Sequence, residues 1–170
     1  MSSGEGERPP RRPIRWDAIV IAGLAAFAVA SIGGSLTDLG PWYQNLNQPS
    51  WRFPDPVFPI AWTIIFALAA ASGVIAWRFA PSNDARQTII GLFAFNGFLN
   101  ILWSLLFFQV KRPDWALYEV ALLWLSVALL IGVTGRASRR AGWLLVPYLL
   151  WVSVAAFLNY EIVRLNAPFT

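Results

Sequence analysis

Residues 57–79 read VFPIAWTIIFALAAASGVIAWRF, apolar from end to end except for Thr63, Ser72 and, one place from the end, Arg78. The hydrocarbon core of a bilayer is crossed by about 20 apolar residues in a helix, so this stretch is read as a transmembrane span. The same reading applies on both sides of it, to 17–36, 85–110, 114–134 and 141–166. The connections between the last four runs are short, which makes consecutive helices antiparallel neighbours in an up-down bundle closed by the first helix. The expected fold class is therefore all-α, an integral membrane bundle of five transmembrane helices.

Composition agrees. Of 170 residues 57% are apolar and 13% are charged, well below the about 25% charged of a soluble domain. With no Cys and no His the chain has no disulfide, no thiolate zinc site and no imidazole or thiolate ligand for haem iron, so no cofactor is required and no metal site is expected. The net charge of +4 is spread among span ends, and nucleic acid is not an expected partner.

Residues 1–15, rich in Arg, Pro, Gly and Ser, read as a disordered tail; 16–166 form the membrane domain and 167–170 a short C-terminal tail. In the first run, Ala22, Ala26, Ala30 and Gly34 recur at every fourth position, a stripe that lets a neighbouring helix approach closely. The run could also serve as a signal peptide, but its length favours a retained span. Residues 38–56, DLGPWYQNLNQPSWRFPDP, hold four of the 12 prolines and no helical period, and form a long structured loop with interfacial aromatics. Arg8, Arg11, Arg12, Arg15, Arg78, Arg86, Arg136, Arg139 and Arg140 fall on one side of the membrane, and only Arg52, Lys111, Arg112 and Arg164 on the other. That imbalance puts the N-terminus in the cytoplasm.

The third run carries Asn96, Asn100, Trp103 and Phe107 on one helical face; the second carries Trp62, Phe66, Ala69 and Gly73; the fifth carries Trp151, Ala155, Leu158 and Asn159. Amides inside a span either join helices or serve a cavity. Small residues facing large rings leave space, and such a space suits a flat apolar ligand whose few polar atoms meet indole N–H and asparagine groups. Ordinary aromatic packing is the alternative. Of the 10 Trp, six lie near span ends, and Trp62, Trp103, Trp124 and Trp151 lie within spans and need another reason. The acids Asp17, Glu119 and Glu161 stand near span ends with no pairing for proton chemistry.

Four stretches in order, WYQNLNQPSW (42–51), FPIAWTIIF around Trp62, LNILWSLLFF (99–108) and VPYLLWVSVAAFLNYEIVRLN (146–166), resemble the TspO/MBR family of tryptophan-rich sensory proteins, relatives of the mitochondrial translocator protein. The resemblance implies five spans, with the loop between the first two as a lid over a pocket. It further implies a tetrapyrrole ligand such as protoporphyrin IX and, in some members, sterols or benzodiazepine-type ligands. By motif position the pocket residues are Tyr43, Trp51, Trp62, Phe66, Asn100, Trp103, Trp151, Ala155 and Leu158. Leu158, Tyr160 and Arg164 fit the loose sterol pattern, which a span-end Tyr and Arg also satisfy.

This chain departs from the family pattern at three places. Asp55 separates Pro54 from Pro56, Phe66 stands where a Tyr is common, and Gly91/Phe95 and Ala94/Phe98 break the small-residue pairs of a homodimer contact. The expected function is a membrane porphyrin-binding protein acting as sensor, carrier or scavenger, with ligand carboxylates near Arg52. Light-dependent porphyrin breakdown and lipid or sterol transport are the alternatives.

Overall fold

The structure, a computed structural model, describes residues 16–169. The tail expected over 1–15 lies outside them, as does Thr170. All regular elements among the described residues are helical: α1 (Trp16–Leu36), α2 (Pro41–Gln44), α3 (Val57–Phe79), α4 (Asn83–Ser104) running on as a π-helical turn (Leu105–Gln109), α5 (Pro113–Ala137), α6 (Arg139–Leu144) and α7 (Val146–Asn166). Five continuous helical stretches are long and apolar enough to cross a membrane, α6 and α7 together forming the last. Around the bundle the order is α1, α3, α6–α7, α5, α4, with α4 returning to α1.

Local chemistry sets the helix ends. The Ser82 hydroxyl accepts the Ala85 N–H at 3.1 Å to start α4, and Pro113 opens α5, where a missing N–H costs nothing. Three boundaries differ from the sequence reading. The loop after α1 is not free of helix, because Pro41 nucleates the single turn α2. The last span is not one helix. Pro147 cannot donate to Trp143, so the chain breaks at Leu145, whose N–H bonds to Gly142 at 3.1 Å. The third span ends in a π turn, with Val110 N–H bonded to Leu105 C=O at 2.9 Å, and Lys111 leaves it at φ 58°. The wider turn brings the consecutive rings Phe107 and Phe108 both into the interior.

The packed side of the molecule is α4, α5 and α7, where Leu99, Val127, Leu130, Tyr148 and Val152 interlock. At Gly142 an added Cβ would stand 3.0 Å from Gly135 Cα, so the glycine lets α6 lie directly on α5. Helix α1 is seated otherwise. Its only buried residue is Gly33, and it touches α4 where Gly97 leaves room for Val29, an added Cβ there meeting Val29 Cγ2 at 2.9 Å. The small-residue stripe accompanies a close α1–α3 pairing and also borders open space. Ala30 and Gly34 border one internal space and Ala22 and Ala26 another, so the absent side chains become volume.

Candidate functional site

The first space is a cavity of about 400 Å³ enclosed by α1, α3, α4, α7 and the loop after α1, within the about 300–1,000 Å³ range of small-molecule sites. Trp62, Phe66, Trp103 and Trp151 form its aromatic walls, and Ala155, with Ala30, Gly33 and Gly34 of α1, forms the hollow side. Trp62 stacks on Phe66 (5.4 Å) and meets Tyr148 edge-on (6.0 Å), while Trp103 stacks on Phe107 (5.1 Å). The rings brace one another at the rim and leave their free faces to the void.

The loop closes one end. Tyr43 is buried against Phe107 and Phe108, at 6.4 and 5.6 Å between ring centres. Asn166, at the end of α7, clasps Asn47: its Oδ1 accepts the Asn47 N–H at 2.8 Å and its Nδ2 donates to the Asn47 carbonyl at 3.0 Å. Gln109 ties the π turn to the end of α1 through the Leu36 carbonyl at 2.8 Å.

Eight of the nine residues expected at the pocket line this cavity: Tyr43, Trp62, Phe66, Asn100, Trp103, Trp151, Ala155 and Leu158. Trp51 does not. It lies over the outside of α7, stacked on Phe157 at 5.2 Å and 39% exposed. The two prolines flanking Asp55 turn the chain inward only after Trp51, so Phe58, four residues before Trp62 on the same face, takes the wall position and meets Trp151 edge-on at 5.8 Å. That spacing was legible in the sequence. Phe108 was not, because its inward turn depends on the π geometry. Of the sterol pattern, Leu158 faces the cavity while Tyr160 is exposed beside Phe157 and Arg164 pairs with Glu161 at 2.7 Å.

The polar groups correct the expectation that amides and indoles stand ready for a ligand. Asn96 donates to Ser126 (2.8 Å) and accepts from the Tyr148 hydroxyl (3.0 Å), which in turn accepts from Asn100 at 3.4 Å. Trp103 N–H goes to Asn159 Oδ1 at 3.1 Å, and Asn159 donates to the Pro113 carbonyl at 2.8 Å. These amides join helices. The exception is Trp151, whose indole nitrogen is buried with no acceptor in the protein. At the lid, Arg52 donates to Tyr43 Oη at 3.2 Å and is paired with Asp55, whose side chain borders the cavity, so the cation expected to meet ligand carboxylates already has a partner. Glu119, in the second turn of α5, is 5% exposed with neither carboxyl oxygen hydrogen-bonded.

Among the described residues no cluster of His, Cys, Asp or Glu could hold a metal ion. Fold and cavity together define a multi-pass membrane protein whose helices enclose a lidded, aromatic-walled chamber.

Comparison with known proteins identifies the group. The family model described as TspO/MBR family matches residues 19–165. The chain is 36% identical to the tryptophan-rich sensory protein of Cereibacter sphaeroides over 149 residues (88% of this chain, 92% of that one). It is 40% identical to the tryptophan-rich protein TspO of Chlorobaculum tepidum over 130 residues (74% and 79%). It is also 31% identical to the translocator protein of Sus scrofa over 145 residues, 81% of this chain and 86% of the pig protein. The chain belongs to the TspO/MBR family.

Proposed function

We propose that this protein binds a tetrapyrrole such as protoporphyrin IX in the lidded chamber and acts as a sensor, carrier or scavenger of porphyrins. The observation that carries the reading is the chamber itself: a void of about 400 Å³ between aromatic walls and a wall of Ala and Gly. A flat macrocycle gains ring contact with Trp62, Trp103 and Trp151 without needing many polar partners. The Trp151 indole nitrogen, buried without an acceptor in the protein, would gain a hydrogen bond worth about 1 kcal/mol only if a bound ligand turned the ring toward it. The ligand's carboxylates would sit at the lid and compete with Asp55 for Arg52. With no His or Cys, a metal-free porphyrin suits the chamber better than haem.

Titration of the purified protein with protoporphyrin IX tests this. Saturable quenching of tryptophan fluorescence is expected, and it should vanish when Ala155→Phe fills the hollow wall. Absent quenching, or quenching unchanged by that substitution, would overturn the reading.

The side of α1's start and of Arg78, Arg86, Arg136, Arg139 and Arg140 is proposed as cytoplasmic from the bias of basic residues. Because the chain has no Cys, a single one placed at Ser138 should label only from that side.

A further inference from the structure

A second chamber, of about 600 Å³, lies below the first toward the start of α1, between α1, α3 and α4. Only Val29 and Phe66 border both spaces, so these two side chains are the partition. The lower walls are mostly aliphatic or small, with Ala22, Ala26, Ala70 and Gly73 among them beside Ile89 and Phe93, and Asp17 and Trp77 line the far end. The polar side chains at its upper end, Asn96 and Tyr148, are bonded to each other and to α5. Away from Asp17 and Trp77 at its far end, a ligand there finds mainly hydrocarbon along the walls.

The chamber has a side door. Below the Val29–Gly97 contact α1 and α4 part, and the residues on the two edges of the gap, Ile21 and Ala25 on one helix and Ile90, Ala94 and Phe98 on the other, are exposed. Both helices are membrane spans, so the gap opens at the depth of the bilayer's hydrocarbon. Water at that depth would find no partners in these walls, and an empty space would forfeit dispersion contacts. Acyl chains are the matter at the door, at a concentration no solute matches.

We propose that the lower chamber is a lipid site, holding one acyl chain of a bilayer phospholipid that enters between α1 and α4. The chain props α1 against α3, supplying the side-chain volume that the small-residue stripe omits. Its end lies beneath Phe66, so lipid and the ligand of the upper chamber touch opposite sides of one ring.

The full chain, reconstituted in phosphatidylcholine vesicles containing a phospholipid with a mid-chain diazirine, tests the proposal by mapping adducts after illumination. Adducts are expected on inward positions, Ala22, Ala26 and Ala70, as well as on outward Leu24 and Phe27. Ala22→Phe should cut the inward adducts at least tenfold and leave the outward ones unchanged. Ala70→Phe, filling the same space from α3, should do likewise, which separates chamber filling from a local defect in α1. Labelling confined to outward positions, or inward labelling that survives both substitutions, would overturn the proposal. So would loss of inward adducts on adding protoporphyrin IX to the Phe66-intact protein, because that would make the lower chamber the porphyrin's. Failure of porphyrin quenching leaves the lipid map unaffected, so the two readings fall separately.

Discussion

The two chambers share α1, α3 and α4 and are divided by the side chains of Val29 and Phe66, yet their walls differ. Above Phe66 three Trp face a side of Ala and Gly under a loop pinned to the end of α7; below it the lining is mostly Ala, Gly and aliphatic residues, with Phe93, Phe98 and Trp77 among them, and opens sideways to the bilayer. Rings that brace one another hold a cavity open against collapse and give it a shape. Small residues leave a void without shaping it, and such a void accepts a flexible chain. The contrast teaches that a space in a membrane bundle is specified by what stands beside it, since association of helices in lipid is driven by packing and hydrogen bonds and not by water.

The sharpest break of this contrast is to fill each chamber in turn. Ala155→Phe should weaken protoporphyrin IX binding by on the order of a hundredfold, because an added ring would occupy the space the macrocycle needs. Ala22→Phe, in the lower chamber, should change that affinity by no more than about twofold, a difference read directly from paired quenching titrations. Equal effects of the two would mean that the Phe66 partition does not separate the spaces.

Next in size is the layer that separates them. Tyr148→Phe removes the hydroxyl that Asn96 and Asn100 share, leaving a buried acceptor and a buried donor unpaired. The expected loss is about 1–3 kcal/mol of stability, seen as a lowered Tm in detergent, with porphyrin binding retained. Asn166→Leu acts on the lid and on the last turn of α7, where Asn166 Nδ2 also donates to the Ile162 carbonyl at 2.8 Å. It removes both bonds to Asn47 and should speed porphyrin release by roughly tenfold in stopped-flow displacement, leaving lipid adducts in the lower chamber as they were.

How much of this the sequence displayed differs between the same two regions. Five spans were legible because length and apolarity are local properties. The upper chamber was legible because Trp62, Trp103 and Trp151 recur at helical spacing on three separate spans. Trp51 was misplaced because the turn of a proline-rich loop is a matter of tertiary contact, and it found Phe157. The lower chamber was not legible. A stripe of Ala and Gly on α1 reads as a contact seam, and only the tertiary arrangement of α1, α3 and α4 shows that the same residues also line a void. The asparagines illustrate the same limit. Their positions showed that they face inward, while their partners depended on which residues of α5 and α7 came to lie opposite.

The smallest effect tests the electrostatics that distinguish the upper mouth from the lower one. Arg52 lies over the rings of Tyr43 and Phe58, and Asp55 is held against its guanidinium. Any dicarboxylate entering the upper chamber must share that cation with Asp55, which is about half exposed, so the existing pair is worth no more than about 1 kcal/mol. Asp55→Ala should therefore tighten protoporphyrin IX by up to about fivefold at low salt, and the gain should shrink as salt is raised. A porphyrin whose carboxylates are esterified should gain nothing. Weaker binding of the free acid in Asp55→Ala would mean that Asp55 holds Arg52 in the geometry the ligand uses, and that the pair acts at the mouth as a unit.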